Sequence, residues 1–253
     1  MISWPAGYDR IILKQTDSTN AEAIRRIDTF SKPTWILTEL QTSGKGRRGR
    51  TWLMPKGNFA ATLVLKPQSS LRVAALRSFV ASIALRAAFV VHCASSEKFK
   101  LKWPNDVLLS GGKVAGILLE SIGKGPIVDS LLIGIGANLV SAPEIDELDF
   151  SYSGSPVSIK QTLGLDISPV EFLTTLANQF KLYDDQIQRS GFHAIRTEWL
   201  SHAAKLNQTV IARVGSSEVK GIFEKIDDDG SLILNTSTGL KKIAAADVYF
   251  EGN

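Results

Sequence analysis

A chain of 253 residues with 44% hydrophobic and 21% charged residues is composed like an ordinary globular protein, long enough for one large domain and a small one. Its lone cysteine, Cys93, excludes an internal disulfide and points to a reducing, cytoplasmic setting. The opening Met1-Ile-Ser-Trp-Pro5 has neither the basic segment nor the apolar run of a signal peptide. The net charge is +4, and residues 41–50 alone carry four positive charges and no negative one. The surplus therefore lies in one short loop rather than along a face, which favours a small anionic ligand over a nucleic-acid backbone.

In chain order, Thr34–Glu39 is rich in strand formers and leads straight into that basic loop. Asn58–Lys66 reads as a second buried strand. Leu71–Cys93 has Leu76, Phe79, Val80, Ile83 and Ala87 at helical spacing, and Ser82, Arg86 and His92 argue against a membrane span. Phe99–Trp103, Val114–Ser121 and Ser130–Ile135 are strand candidates. A long helix is predicted from Ser168-Pro-Val-Glu171 to about Gln188, with Ser168 and Glu171 forming a capping box and Pro169 at the first helical position. A shorter helix covers Phe192–His202. From about Lys205 the texture changes to short β-rich segments, Gln208–Val214, Glu218–Ile226, Ser231–Asn235 and Leu240–Phe250. The acidic turn Asp227-Asp-Asp-Gly230 joins the middle two as a hairpin. These strands suit a small barrel-like appendage, so residues 1–204 and 205–253 are read as two domains.

The loop Gln41-Thr-Ser-Gly-Lys-Gly-Arg-Arg-Gly-Arg50 invites two misreadings. Gly44-x-Gly46-x-x-Gly49 matches a dinucleotide fingerprint literally, and Arg50-Thr51 nearly completes a P-loop. Both require a helix immediately afterwards, and Pro55 argues against one. Four cations would also repel one another unless an anion came between them. The empty loop, 42–50, is therefore expected to be mobile and to become ordered around a bound anion.

Further segments sharpen the reading: Lys102-Trp-Pro-Asn-Asp106 after a strand, Gly111-Gly-Lys-Val-Ala-Gly116, and Ile133-Gly-Ile-Gly-Ala-Asn138 ending an apolar strand. Singly, each is an ordinary turn or strand end. Together with Asp17-Ser-Thr-Asn20 and the basic loop through Trp52, in this order, they resemble the biotin protein ligases. Gly221-Ile-Phe223 and Asp229-Gly-Ser-Leu232 are similar to that family's small C-terminal domain. The departure is Lys45, where the family usually has arginine; lysine keeps the charge and loses the planar fork. Some family members carry an N-terminal helix-turn-helix domain and repress transcription. With Asp17-Ser-Thr-Asn20 so early in the chain, the form without that domain is expected.

The resemblance implies an α+β fold, a mixed central sheet flanked by helices, followed by a small SH3-like barrel. It implies ATP and biotin as substrates, with magnesium assisting, and a biotin carboxyl carrier protein as partner. No specific DNA, no membrane and a monomer or homodimer are expected. Biotin's carboxylate would attack the α-phosphate of ATP, giving biotinyl-5′-AMP, and a carrier lysine would then take the biotinyl group. Matched residue by residue, Ser18, Thr19, Asn20 and Gln41 line the biotin pocket, where hydroxyls and amides suit a ureido ring. Ser18 also suits a helix N-cap before Ala21–Ile27. Lys45 and Gly46 cover biotin and phosphate. Arg47, Arg50 and Lys113 bring carboxylate and triphosphate together, Lys113 and Arg47 meeting both substrates. Trp52 stacks on adenine, and Asn105, Asp106 and Asn138 are nucleotide-side polar groups. Asp106 is also the candidate to orient or deprotonate the carrier lysine.

No Ser-His-Asp or Cys-His arrangement is apparent, His92, His193 and His202 lie outside every motif, and no metal-ligand spacing is found. A lipoate ligase of the same fold is the rival enzyme, although its glycine-rich motif is not matched. A nucleic-acid-binding module, resting on the basic loop and a pI of about 9.1, is the rival of another class.

Overall fold

The computed structural model describes residues 2–123, 125–144 and 155–250. In chain order the strands are β1 (Asp9–Leu13), β2 (Thr34–Thr38), β3 (Gly44–Lys45), β4 (Thr51–Trp52), β5 (Phe59–Leu65), β6 (Ser69–Ser70), β7 (Phe99–Lys102), β8 (Asp106–Leu109), β9 (Gly112–Ile122), β10 (Ile127–Val128), β11 (Ser130–Ala137), β12 (Thr209–Val214), β13 (Ser217–Ile226), β14 (Leu232–Thr236), β15 (Gly239–Ile243) and β16 (Asp247–Phe250). The α-helices are α1 (Thr19–Arg25), α2 (Leu71–Ala75), α3 (Arg77–Cys93), α4 (Ile159–Leu163), α5 (Pro169–Ser190) and α6 (Phe192–Ser201).

Seven strands form the main sheet in the order β1-β2-β5-β11-β9-β8-β7. Only β1 and β2 run parallel; the other pairings are antiparallel, so the sheet is mixed. Every residue of β2 and β5 is buried, which is why both read as continuous apolar runs without alternation. The edge strand β1 was not anticipated from the sequence. Its Asp9 and Arg10 are exposed, Ile11 and Leu13 pack half-buried against the core, and it is held in register with β2. The four-residue β8 was also missed, because it starts at Asp106, the last residue of the Lys-Trp-Pro-Asn-Asp segment that reads as a turn, and is short.

The expected helix Leu71–Cys93 is divided. The Leu76 carbonyl accepts from Phe79 N at 3.1 Å, an i→i+3 bond that tightens the chain between α2 and α3. Residues 79–86 are all buried beneath α5, α6 and the sheet, so α3 is apolar all round as a core helix. By length and composition alone 71–93 could cross a membrane, but 67% of its apolar window is packed inside the protein. Arg86 sits in that core because its guanidinium donates to Phe99 O and Ser96 O, both at 3.0 Å. Helix α5 begins at Pro169 as expected, but the Ser168 hydroxyl makes no capping bond. Proline at the first position removes one of the N–H groups that a cap would serve.

The C-terminal strands form a five-stranded antiparallel sheet, β15-β14-β13-β12-β16, in an SH3-like unit. The segment expected as one strand, Leu240–Phe250, is two strands on opposite edges of this sheet. The acidic turn is a hairpin end as predicted: Asp227 Oδ1 accepts from Asp229 N and Ser231 N, both at 2.9 Å. This unit is packed on the main one. Trp103 Nε1 donates to Gly230 O at 3.0 Å, and Trp199 stands between Phe79 and Phe223. Strand β16 is thereby brought opposite the basic loop.

Candidate functional site

The chain folds Gln41–Trp52 as a hairpin, in which β3 pairs with β4 and Arg47–Gly49 makes one 3₁₀ turn. Two backbone features allow this: Gly49 at φ 75° and Arg48 at φ 57°, both left-handed. The hairpin covers a cavity of about 570 Å³ whose floor is the middle of β9 and β11. Glycines on that floor are required by what lies on them. A Cβ at Gly136 would enter the indole of Trp52, and one at Gly134 would meet Asn20.

One end of the cavity is lined by uncharged hydrogen-bonding groups. A parallel bridge between Thr16 and Gln41 continues the β1–β2 pairing and sets Ser18–Asn20 beside Gln41. Ser18 caps α1, which starts two residues before the expected position. Gln41 Oε1 accepts from Thr19 N at 2.9 Å and from the Thr19 hydroxyl at 3.3 Å. Thr62 Oγ1 lies 2.8 Å from Thr19 Oγ1 and 2.5 Å from Asn20 Oδ1, while Asn20 Nδ2 donates to Glu120 Oε2 at 2.5 Å. Thr62 and Glu120, which the sequence did not flag, therefore fix the orientation of the Asn20 amide. Nothing local marks them, since each belongs to an apolar strand.

The other end is cationic. A register shift after Val107 makes Val114 an extra residue on β9, and such bulges re-aim neighbouring side chains. Lys113 Nζ then lies 2.8 Å from Asp106 Oδ1 and 5.8 Å from the centroid of the Trp52 ring. Arg47 donates to Asn105 Oδ1 at 3.2 Å and to Ala246 O at 3.3 Å, and Asn105 Nδ2 donates to Ile117 O at 2.6 Å. Asn138 Nδ2 is used by Val157 O at 3.1 Å, which leaves its buried Oδ1 without a protein partner beside the cavity. Lys102, also missed as a site residue, is 5% exposed and lines the same cavity. Its signal was present as the first residue of Lys-Trp-Pro-Asn-Asp. Burial pushes the Lys102 ammonium and the Arg47 guanidinium below their usual ranges, opposed by Asp106 at Lys102 and by Asp247 at Arg47.

The structure brings every expected site residue to this cavity wall: Ser18, Thr19, Asn20, Gln41, Lys45, Gly46, Arg47, Arg50, Trp52, Asn105, Asp106, Lys113 and Asn138. Trp52, expected beside adenine, lies against Gly136 at the cavity floor. One reading changes, because the basic loop does not lack an anion: Asp247 of β16 accepts from Arg48 at 2.8 Å and from Arg50 at 2.5 Å, with Arg47 3.7 Å away. The repulsion inferred from sequence is relieved within the protein, by a residue about two hundred positions away. Among the described residues no group of three or more His, Cys, Asp or Glu side chains could hold a metal. Magnesium fits this site only as a companion of a bound triphosphate, the usual mode for this ion.

A mixed sheet carrying a basic hairpin over a cavity with one amide-and-hydroxyl end and one cationic end suits a ligase that activates a carboxylate with a nucleotide. Comparison with known proteins makes this specific. Residues 12–138 match the model of the Biotin/lipoate A/B protein ligase family, and residues 205–251 match the Biotin protein ligase C terminal domain. The chain belongs to this family. A biotin–[acetyl-CoA-carboxylase] ligase of Paracoccus denitrificans is 48% identical over 95% of the chain and 100% of that protein. The bifunctional ligase/repressor BirA of Bacillus subtilis is 31% identical over 94% of the chain and 71% of its own length. The biotin protein ligase of Aquifex aeolicus, solved with biotin and ATP, shares the fold with a TM-score of 0.80 at 24% identity, covering 95% of this chain and 97% of that one.

Proposed function

We propose that this ATP-dependent biotin protein ligase works through the cavity under the Gln41–Trp52 hairpin, with a biotin carboxyl carrier protein in the cytoplasm as acceptor. The observation that carries the assignment is the convergence of Arg47, Arg50, Lys102 and Lys113 on one end of a cavity whose other end is hydroxyls and amides. Biotin's ureido ring is taken at the Ser18, Thr19, Asn20 and Gln41 end, with its carboxylate pointing to Lys113. Lys45 and Gly46 close over the chain. The triphosphate lies toward Arg47 and Arg50, and the free Oδ1 of Asn138 accepts a hydrogen bond from the nucleotide side.

In the first step a biotin carboxylate oxygen forms a bond to the α-phosphorus and the bond to the pyrophosphate oxygen breaks. Two anions must approach, so the residues' task is preorganised positive charge aimed at the phosphoryl oxygens. Lys113 is held for this by Asp106, and Arg47 by Asn105 and Ala246 O. In the second step a carrier lysine attacks the acyl carbonyl and AMP leaves. Only about one such lysine in a few thousand is neutral at pH 7. Asp106, freed from Lys113 as that ammonium follows the phosphate, is the group suited to orient the amine and take its proton. Residues 1–204 are assigned to this chemistry, and 205–253 to a domain that completes the site through β16.

Offering biotin or lipoate with ATP and measuring pyrophosphate release tests the reading. Biotin-dependent release with a retained biotinyl-adenylate is expected, and release with lipoate alone would overturn it.

A further inference from the structure

Three of the four loop cations meet on one carboxylate, and that carboxylate comes from the other sheet. Asp247 is 6% exposed, lines the cavity, and has its Oδ2 within hydrogen-bond distance of both Arg48 and Arg50. Arg47 stands 3.7 Å from Oδ1 and is fastened to the carbonyl of the preceding residue, Ala246. Asp247 is fixed in turn by its β16 register opposite Arg213. No residue of 41–50 is acidic, so this is the anion that the loop itself lacks.

We propose that Asp247 is a positioning residue that stands in for nucleotide phosphate. In the ligand-free enzyme it holds the Arg47–Arg50 turn against the cavity. When ATP enters, its phosphates replace the carboxylate on Arg47 and Arg50. The physical reason is that one carboxylate leaves a cluster of three guanidiniums with excess positive charge, whereas a triphosphate supplies several charges and more acceptor oxygens. The exchange keeps the loop closed in both states. It also gives the C-terminal sheet a part in adenylation without touching the reacting atoms. The inference rests on the assignment of the loop to the triphosphate.

Asp247→Asn tests it, since the amide keeps the shape and removes the charge. In the ligand-free variant, amides of Thr42–Arg50 should exchange with deuterium at least tenfold faster than in the parent. With biotin and ATP bound, the two proteins should be protected equally. The KM for ATP should be no more than twofold above the parent's, because in the nucleotide complex phosphate, not Asp247, holds Arg47 and Arg50. Arg48→Gln, which leaves Arg47, Arg50 and the carboxylate in place, should also speed exchange in the empty loop and keep kcat within twofold. It carries the test should Asp247→Asn fail to fold. Equal exchange of the empty loop in parent and variants overturns the proposal. A KM for ATP raised more than twofold in Asp247→Asn also overturns it, since Asp247 would then hold the arginines in the nucleotide complex as well. If biotin and ATP fail to protect the loop in Asp247→Asn, where the carboxylate no longer holds it, the triphosphate assignment falls, and the exchange falls with it.

Discussion

Adding one methyl group at Gly136 should unseat Trp52. A Cβ there would lie 2.6 Å from Trp52 Cζ2 and closer still to Cε2 and Nε1, well inside van der Waals contact. Two things could yield, the strand or the ring. Gly136 is paired with Ala60 on one side and Gly116 on the other in the middle of the seven-stranded sheet, so the strand is fixed. Trp52 is half-buried on a two-residue strand of the outer hairpin, so the ring gives way. Overpacking of this kind costs about 1–3 kcal/mol. If the displaced hairpin must be re-seated for nucleotide to bind, that cost appears as a KM for ATP roughly 5- to 100-fold higher, at tenfold per 1.4 kcal/mol. The melting temperature should fall little, because the core beneath is untouched. The assay is pyrophosphate release against ATP concentration on Gly136→Ala, with thermal unfolding beside it. A KM within twofold of the parent in a folded variant would refute the reasoning, since it would mean that the seat of Trp52 is irrelevant to nucleotide.

Arg47→Ala and Lys113→Ala should each lower adenylate formation by at least a hundredfold without loss of fold, because both act on charge in the transition state; near-normal pyrophosphate release from both would remove the central assignment. Lys45→Arg should leave activity within about threefold, since Lys45 is exposed and the change restores the family's usual residue; a large loss would show a role peculiar to lysine. Lys102→Met should slow adenylation yet melt no lower than the parent, because the buried ammonium is disfavoured by desolvation and methionine is not; a drop of several degrees would show that the charge supports the fold. Burial pushes the Cys93 thiol up to about 11, so at pH 8 its alkylation should be more than tenfold slower than that of a free thiol and should rise steeply only near that value. Rapid labelling at pH 8 would contradict this.

Family, two-unit organisation and the residues around the cavity were legible in the sequence because they are written locally. The glycines, amides and cations of Gln41–Trp52, Lys102–Asp106, Gly111–Gly116 and Ile133–Asn138 form contiguous runs whose spacing is itself the signal. Continuous apolar runs announced β5 and α3 for the same reason, since complete burial leaves no alternation to misread. Partners across the chain were not legible. Glu120 and Thr62 became site residues only when antiparallel pairing set β9, β11 and β5 side by side beneath α1. Lys102 became a buried cation only when the sheet and β16 closed around it. Above all, the basic loop read as an unbalanced charge cluster awaiting a ligand, and its counter-ion proved to be Asp247. Sequence records how much charge a segment carries, but Coulomb energy depends on distance, and only the tertiary fold decides which opposite charge comes within 3 Å.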